Sequence, residues 1–282
     1  MTADRVALVT GSSSGFGLLS AVALARAGHR VVATLRDPAR ATAIAEAARA
    51  AGVQLDVQRL DVTDGATVAA CRDHVAERYG RLDVLVNNAG YALVGPMEDV
   101  PLAALRLELE TNLLGVIEVT RAFLPLMRAA GAGRIINLSS AAGRTTIPLM
   151  TPYHTTKWAL EGLSEAWRYE LAPFGITVVL VQPGSFRTDF DGRSMVRVEN
   201  ADTSRYGPII RRMEAARPVI HRLAGDPRRV ARVVVRAATA RRPRLRYVVG
   251  LDAWLAAVGR SVLPGKAFTW LTARVFRLPT RL

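Results

Sequence analysis

The sequence predicts a single α/β domain whose centre is a doubly wound parallel β-sheet of about seven strands. Three observations lead to this fold class. Short apolar runs alternate with stretches of helical periodicity along most of the chain, which is the pattern of βαβ units. The runs are hydrophobic at nearly every position, as expected of strands buried on both faces. The first run ends in a turn rich in glycine and serine, and 282 residues at 50% hydrophobic content can bury one such core.

The expected elements follow from local composition in chain order. Residues 5–9 read Arg-Val-Ala-Leu-Val and form the first expected strand, because the run is short, β-branched and nearly all apolar. Runs of similar character predict further strands at residues 30–35, 53–60, 82–86, 134–138, 176–181 and 244–250. Helices are expected at residues 18–27, 39–51, 64–79, 101–130, 152–172 and 208–223, and from Asp226-Pro227 onward. This alternation favours crossover connections within one parallel sheet.

The chain divides into one domain and an extension. No internal repeat, low-complexity tract or linker precedes residue 189, so residues 1–250 are assigned to a single domain. Residues 189–225 are irregular at first and lie beyond the carboxyl end of a strand, where a substrate lid is expected in such a fold. Residues 251–282 combine apolar and basic side chains and are interpreted as a helical extension.

Cysteine usage and the absence of targeting signals favour a cytoplasmic location. Cys71 is the single cysteine, which excludes an intramolecular disulfide and fits a reducing compartment; it falls in an expected helix and is interpreted as packing. Met1-Thr2-Ala3-Asp4 leads directly into an apolar strand, without the basic and then apolar segments of a secretory signal. The chain contains no run of about 18 uncharged apolar residues, so a membrane-spanning helix is not expected.

The basic charge is confined to the C-terminal quarter. The net charge is +14, yet residues 1–203 carry 20 basic and 21 acidic side chains, while residues 204–282 carry 18 and 3. This asymmetry indicates an anionic ligand or surface near the C-terminal part, with a solvated arginine face as the other interpretation. No nucleic-acid-reading motif accompanies the charge, so nucleic acid is not an expected partner.

A glycine-rich turn between the first strand and the first helix is a candidate phosphate site. Gly11, Gly15 and Gly17 have the spacing G-x-x-x-G-x-G, which differs from both G-x-G-x-x-G and the P-loop. Glycines at this point let the backbone approach a pyrophosphate at the start of a helix. A turn of this kind directly after a buried strand favours dinucleotide binding.

Tyr153 and Lys157 form a candidate catalytic pair. They are four residues apart on an expected helix, so their Cβ atoms lie roughly 5–6 Å apart on one face. A nearby cation favours the phenolate, and lowering the phenol pKa from about 10 to about 7 requires roughly 4 kcal/mol. Only two of the 38 basic residues are lysines, which suggests that a compact ammonium is needed here. A surface tyrosine beside a solvated lysine is the alternative.

Seven short signals in one register decide between these interpretations. They are Thr10-Gly-x-x-x-Gly15-Phe-Gly17, Asp61-Val62, Asn87-Asn88-Ala89-Gly90, Asn112, Ser140, Tyr153-x-x-x-Lys157 and Pro183-Gly184-x-x-x-Thr188. In order and spacing they resemble the short-chain dehydrogenase/reductase family, most closely its hydroxysteroid and retinol dehydrogenase-like members. The resemblance covers residues 4–190 and, more loosely, 226–250. It implies a Rossmann-like fold and hydride transfer between a nicotinamide cofactor and an alcohol or ketone.

Carried over by position, the resemblance implies four catalytic residues. Tyr153 would exchange a proton with the substrate oxygen as general acid and base. Lys157 would lower the pKa of Tyr153 and bind the nicotinamide ribose. Ser140 would hold the substrate oxygen, whereas strand alternation should turn Ser139 away. Asn112 would anchor a water molecule that relays protons from Lys157; a polar helix kink is its other interpretation.

The resemblance also implies a cofactor site. Its residues are Gly11, Ser12, Ser13, Gly15, Phe16, Gly17, Arg36, Asp61, Val62, Asn88, Ala89, Gly90, Tyr153, Lys157, Pro183, Gly184 and Thr188. An acid at the end of the second strand would bind a ribose 2′-hydroxyl, and a base would attract a 2′-phosphate. Leu35 occupies the acid's position and Arg36 follows, which favours NADP(H) over NAD(H). If the alignment with the family were shifted by two residues, Asp37 would instead occupy the position of the acid.

The expected substrate is a small hydrophobic secondary alcohol or its ketone. The pocket side chains inferred from the resemblance are apolar and carry little fixed charge: Leu93, Val94, Ile147, Leu149, Met150, Phe186, Phe190 and Met195. Steroid- and retinoid-acting members are the most similar subgroup. His154, which points about 100° away from Tyr153 on a helix, is interpreted as structural, and no metal site is expected.

Partner expectations rest on the resemblance and on the extension. A homodimer or homotetramer is implied, with the Tyr153 helix and its predecessor as subunit faces. The apolar residues of 251–282 are expected to pack on the body or on a partner subunit, and a peripheral contact with an anionic membrane is the alternative. A non-catalytic NADP-binding regulator on the same fold is the opposed function. The complete set of four catalytic residues argues against it.

Overall fold

Seven parallel strands form the central sheet of the computed structural model, which describes residues 5–188, 194–197 and 202–279. The strands of the chain are β1 (Val6–Val9), β2 (Arg30–Leu35), β3 (Asp56–Arg59), β4 (Val84–Asn87), β5 (Ala92–Val94), β6 (Gly133–Leu138), β7 (Ile176–Pro183), β8 (Met195–Arg197) and β9 (Arg246–Val249). The sheet order is β3-β2-β1-β4-β6-β7-β9. The predicted fold class is therefore confirmed. Because β1 has β2 on one side and β4 on the other, the winding direction changes between β1 and β4, and a crevice opens there.

Helices cover both faces of the sheet. They are α1 (Gly15–Arg26), α2 (Thr42–Ala51), α3 (Gly65–Tyr79), α4 (Leu102–Leu109), α5 (Gly115–Ala129), α6 (Thr151–Leu171), α7 (Gly207–Leu223), α8 (Arg228–Thr239), α9 (Leu251–Val262) and α10 (Gly265–Val275). Successive β1 side chains alternate between two cores. Val9 packs with Leu24 of α1 and Val234 of α8, and Leu8 packs with Phe123 of α5.

The helix expected over residues 101–130 is interrupted, so that prediction is wrong in one respect. A π-helical turn, Glu110–Leu114, separates α4 from α5 and carries Asn112. The Asn112 side chain makes hydrogen bonds outside its own helix, and these bonds stabilise the altered register. The polar-kink interpretation of Asn112 therefore describes the local backbone.

A second, small sheet was not predicted. β5 pairs in parallel with β8, between residues expected in a loop and in the lid. Three-residue strands give too little periodicity to be recognised from the sequence. The described part of the lid also contains α7, in agreement with the helical pattern, while residues 189–193 and 198–201 lie outside the described residues.

The C-terminal extension leaves most of its large apolar side chains exposed. Within α9 the buried residues are Ala253 and Ala257, and α10 buries none of its described residues. Trp254 is 53% exposed and Trp270 is 62% exposed. Packing on the body, one of the expected arrangements, is therefore found in part: α9 contacts β9 through small side chains, whereas the two tryptophans stay exposed. No helix in the described part of the chain is long and apolar enough to cross a membrane.

Candidate active site

The glycine turn lies in the crevice between β1 and β4. Gly11 has a φ of +67°, and a Cβ at this position would lie 2.9 Å from the Ala89 Cα. A Cβ at Gly17 would overlap the carbonyl oxygen of Gly11 and approach the Asn88 side chain. Glycine is therefore required at both positions, because the neighbouring backbone lies too close to leave room for a Cβ. Gly15 differs because its Cβ would meet only Thr188, at 3.9 Å, within the described residues.

Thr10 and Asn88 hold the turn against the end of β4. The Thr10 hydroxyl accepts the backbone N–H groups of Asn88 and Ala89, at 2.9 and 3.0 Å. The Asn88 amide donates in return to the carbonyl oxygens of Thr10 and Gly11, at 2.8 and 3.0 Å. This reciprocal arrangement fixes the backbone at the position where the resemblance expects a cofactor.

The start of α1 fits an anionic group. Ser14 is the N-cap, but no side chain among the described residues makes a capping hydrogen bond there. Free N–H groups and the positive end of the helix dipole favour a phosphate. Ser13 is half-buried and borders the crevice, whereas the buried Ser12 hydroxyl donates to the Val9 carbonyl at 2.9 Å. The hydroxyl of Ser13 is therefore the better placed of the two.

Phe16 has a packing role that the sequence did not reveal. Its ring makes an edge-to-face contact with Phe186, with centroids 5.8 Å apart. The contact joins the first turn of α1 to the segment that follows β7. The Phe16 ring therefore packs beside the glycine turn.

The end of β2 separates Arg36 from Asp37. Leu35 is buried, Arg36 is exposed, and Asp37 is engaged with the next helical turn. The Asp37 carboxylate accepts the Ala39 N–H at 3.0 Å and lies 3.7 Å from the Arg40 guanidinium. This capping interaction occupies the carboxylate that a register shift would bring to the ribose.

The segment after β3 is also ordered by its own side chains. The Asp61 carboxylate accepts the N–H and the hydroxyl of Thr63, at 3.0 and 2.8 Å. Val62 is buried, and its side chain is 2.7 Å from where a Cβ at Gly115 would lie. Val62 therefore packs directly on the start of α5.

The four residues expected to be catalytic share one end of the crevice. The Ser140 hydroxyl makes a hydrogen bond to the Tyr153 phenol. The Lys157 Nζ lies 5.5 Å from the centroid of the Tyr153 ring and donates to the Leu138 carbonyl at 2.9 Å. A methyl group at Gly90 would be 2.8 Å from Asn112 Oδ1 and 4.0 Å from Lys157 Nζ, so both groups border the loop after β4.

The ionisation of this pair differs from the expectation. Burial raises the pKa of Tyr153 to about 12, the Ser140 hydrogen bond lowers it, and the charge of Glu108 raises it. Burial lowers the pKa of Lys157 to about 8. The predicted depression of the Tyr153 pKa by Lys157 is therefore wrong for the chain by itself. Burial dominates, and the ammonium lies over the ring while it donates to a backbone carbonyl.

Ser139 and Ser140 point in opposite directions, as strand alternation predicts. Ser139 donates to Glu161 at 2.5 Å in a buried network with Gln182 and Arg246. The Ser140 hydroxyl accepts the Ala142 N–H at 3.1 Å and remains at the crevice beside Tyr153. The geometry therefore selects Ser140 as the hydroxyl that can reach a substrate.

Asn112 fixes the geometry around this cluster. Its amide oxygen accepts the Tyr91 N–H at 3.0 Å, and its NH₂ group donates to the Tyr91 carbonyl at 2.7 Å and to Thr156 at 3.2 Å. The side chain is thus occupied by protein groups and joins the loop after β4 to α6. A relay water on Asn112 stays a prediction.

His154 holds the loop that follows Ser140. Its Nε2 accepts the Ile147 N–H at 3.0 Å, and its Nδ1 donates to the Ala142 carbonyl at 2.9 Å. These two bonds require the neutral ring, and burial correspondingly lowers its pKa. The geometry agrees with a structural role.

The far side of the crevice is bordered by the segment after β7. Pro183 ends β7, and the Gly184 N–H donates to the Val249 carbonyl at 2.8 Å. A Cβ at Gly184 would overlap the Asp252 carboxylate. Thr188 lies across from Gly15, so this segment and the glycine turn face each other.

The residues expected to line the substrate pocket differ in their burial. Val94, Ile147, Met150 and Met195 are half-buried, which suits a pocket lining. Leu93 is 2% exposed and belongs to the core, so its assignment to the pocket is wrong. Leu149 turns with a φ of 65°, and its carbonyl accepts the Gly95 N–H at 2.8 Å. Phe190 lies outside the described residues.

Sequence reasoning missed Glu108. The residue is fully buried, although Glu is rarely buried without a partner. Its Oε1 accepts the Leu93 N–H at 3.0 Å. The available signal was its position: Glu108 follows Leu105 by three residues on the inward face of α4 and precedes Asn112 by four. No group of three or more potential metal ligands is present among the described residues.

The comparisons with known proteins bear on this arrangement. The family model of the short chain dehydrogenases matches residues 5–197. The chain belongs to the short-chain dehydrogenase/reductase family. The uncharacterized oxidoreductase YusZ of Bacillus subtilis is 40% identical over 269 residues, which cover 94% of this chain and 95% of that protein.

Two further similarities concern substrate and cofactor. Human 17-beta-hydroxysteroid dehydrogenase type 1 is 37% identical over 255 residues, covering 87% of this chain and 77% of that protein. A metagenomic short-chain oxidoreductase solved in complex with NADP has 31% sequence identity and a TM-score of 0.70, covering 88% of this chain and 97% of that one. Family membership makes the chain an oxidoreductase that uses a nicotinamide cofactor.

Proposed function

We propose that this protein is an NADP(H)-dependent oxidoreductase that interconverts a hydrophobic secondary alcohol and its ketone. One observation carries the proposal: Ser140, Tyr153 and Lys157 converge at the end of the crevice that also holds the glycine turn. The close-packed glycines, the uncapped start of α1 and the exposed Arg36 suit a dinucleotide phosphate. A dinucleotide there would be held by this turn, by the segment 88–90 and by Thr188.

The side chains have separate roles in this proposal. Bound NADPH would supply a hydride to the carbonyl carbon. Ser140 donates a hydrogen bond that positions the carbonyl oxygen. Tyr153 gives its phenolic proton to that oxygen, and in alcohol oxidation the Tyr153 phenolate takes the proton back. Lys157 contributes positive charge beside the phenol, and Asn112 keeps the loop after β4 in register with α6.

A screen of NADPH oxidation tests the function. Steroid, retinoid, aliphatic and quinone carbonyls are offered in turn, and turnover is expected with at least one hydrophobic class. The half-buried apolar side chains expected to line the pocket and the similarity to a hydroxysteroid dehydrogenase support this choice of substrates. Absence of turnover with every class, together with tight NADPH binding, would favour the opposed function of a non-catalytic NADP-binding regulator.

Cofactor preference is expected to depend on Arg36. The Arg36→Ala variant should bind NADPH about tenfold more weakly and NADH with unchanged affinity, because an exposed charge-assisted contact to the 2′-phosphate should contribute about 1.4 kcal/mol, near the lower end of the range for hydrogen bonds to charged groups. Titration of both cofactors by fluorescence measures the two affinities. Asp37→Ala is the matched control, since Asp37 is exposed and caps a neighbouring turn. Equal NADH and NADPH affinity in the parent, with no loss in Arg36→Ala, would contradict the preference.

We also propose that the extension contacts an anionic membrane. Trp254 and Trp270 are exposed on α9 and α10, and Arg260 and Lys266 lie among them. The single acidic residue there, Asp252, accepts the Ser185 N–H at 2.6 Å. Aromatic side chains among cations are the composition of an interfacial helix.

Vesicle flotation tests this contact. The parent should float with vesicles of mixed phosphatidylserine and phosphatidylcholine, and Trp270→Ser should float several-fold less. Tyr169→Ser is the control, because Tyr169 is 73% exposed on α6. Failure of the parent to float would remove the membrane contact. If Trp270→Ser instead lowers the oligomeric mass, the surface belongs to a homodimer or homotetramer, which we propose on the basis of family membership.

A further inference from the structure

Glu108 is a buried acid whose second carboxylate oxygen is not used by the fold. Oε1 accepts the Leu93 N–H, whereas Oε2 is buried and has no hydrogen-bond partner among the described residues. A hydrogen bond to β5 needs only one oxygen, and a neutral amide would provide it as well. An ionisable group at this place costs folding free energy, so its charge requires a separate explanation.

The location of Glu108 supplies that explanation. Helix α4 packs on β5 and on α6, and Glu108 lies at the buried face of α4. The titratable groups that interact with it are Lys157 and Tyr153 of α6 and Tyr91 of the loop before β5. Asn112, four residues later, clamps the same loop to α6. Glu108 therefore lies in the buried layer between α4, β5 and α6, to which the candidate catalytic pair also belongs.

We propose that Glu108 is a positioning residue whose charge sets how readily Tyr153 releases and regains its proton. The inference rests on the proposed function of Tyr153 as acid and base. An ionised Glu108 stabilises the Lys157 ammonium and opposes the Tyr153 phenolate; a neutral Glu108 does neither. Burial raises the pKa of Glu108 to about 7, so both forms of the carboxyl are available near neutral pH.

The Glu108→Gln variant separates charge from structure. An amide oxygen still accepts the Leu93 N–H, so the β5 contact is retained while the negative charge is removed. With the charge gone, the phenolate forms more easily. Above about pH 7, where Glu108 of the parent is charged, the pH profile of alcohol oxidation should therefore lie at lower pH in the variant, which should be about two- to threefold faster on the acid limb, the effect of a shift of a few tenths of a pH unit. Well below pH 7 the two rates should coincide, because Glu108 of the parent is then neutral.

A stability cycle measures the same charge without substrate or cofactor. It compares the pH dependence of unfolding of the parent and of Glu108→Gln, each with and without the Lys157→Met substitution. Because the pKa of folded Glu108 lies above its ordinary value, the acid's favourable contribution is complete below about 4.5 and is lost as pH rises towards about 7. Relative to Glu108→Gln, the unfolding equilibrium constant of the parent should rise about tenfold per pH unit in that window and level off above it. In a Lys157→Met background the rise should continue to higher pH, because the cation that lowers the Glu108 pKa is absent.

The outcomes of these experiments distinguish a failure of the Glu108 proposal from a failure of the proposed function. Glu110→Gln, at an exposed position two residues along, should match the parent in both measurements. A stability difference that is flat from pH 5 to 9, or that is the same with and without the Lys157→Met substitution, would overturn the proposal whether or not the protein turns over. Superimposed oxidation profiles of Glu108→Gln and the parent would overturn the coupling to Tyr153. Absence of turnover in the parent would defeat the proposed function instead, and the stability cycle would still decide the Glu108–Lys157 coupling.

Discussion

The Tyr153→Phe variant is expected to lose kcat by about 10²–10⁴-fold, the usual contribution of a positioned general acid or base. The change removes only the phenolic hydroxyl. The ring is 8% exposed and should keep its packing on α6, and Phe retains its contact with the Lys157 ammonium. The expected loss is therefore chemical. NADPH affinity, measured by fluorescence titration, should fall far less than kcat, because Tyr153 is only one of the many residues expected at the cofactor site.

A matched control is available on the same helix. Tyr169→Phe removes a hydroxyl from an exposed side chain on α6 and should leave kcat unaltered. Unfolding midpoints of both variants should stay near that of the parent, apart from the lost Ser140 bond, worth about 0.5–1.5 kcal/mol. A Tyr153→Phe enzyme with more than a third of the parent kcat would mean that another group transfers the proton.

The Gly17→Ala variant is expected to lose both stability and cofactor binding. Its Cβ would overlap the Gly11 carbonyl oxygen and would lie 2.5 Å from the Asn88 amide nitrogen. Both neighbours belong to the turn that the cofactor is proposed to contact, so the clash must displace that turn. Overpacking of this kind costs about 1–3 kcal/mol. Urea denaturation should show this loss, and the NADPH dissociation constant should rise at least about tenfold.

Gly162→Ala is the corresponding control. Gly162 is also helical, and a Cβ there meets nothing within 4 Å among the described residues. Alanine in an exposed helix should stabilise the fold by about 0.5–1 kcal/mol. If Gly17→Ala and Gly162→Ala had the same effect, close packing at the turn would not explain the glycine. The two variants should change the free energy of unfolding in opposite directions, and this difference separates the effect of close packing from that of helix propensity.

Several features of the site could be predicted because they depend on local geometry. The four-residue spacing places Tyr153 and Lys157 on one face of α6. Alternation at the end of β6 turns Ser139 to the interior and leaves Ser140 at the crevice. The order of strands and helices, with a glycine turn after the first strand, was enough to predict the doubly wound sheet.

Other features depend on segments that meet only in the folded chain. The π turn at Asn112 arises from bonds to Tyr91 and Thr156, 21 and 44 residues away in sequence. The pairing of β5 with β8 joins residues about a hundred positions apart. The exposure of Trp254 and Trp270 reflects how little of the body the last two helices cover. Sequence patterns carry little information on such contacts.

The sequence by itself therefore determined the fold class, the family and the placement of Ser140, Tyr153 and Lys157 at one site. Tertiary structure alone decided their ionisation. A pKa depends on desolvation, hydrogen bonds and charges from every neighbouring segment, and for Tyr153 these are burial, the Ser140 hydrogen bond and the unforeseen Glu108. Spacing along one helix fixes which side chains are neighbours, but only the packing of α4, β5 and α6 determines how far water and countercharge are excluded from them.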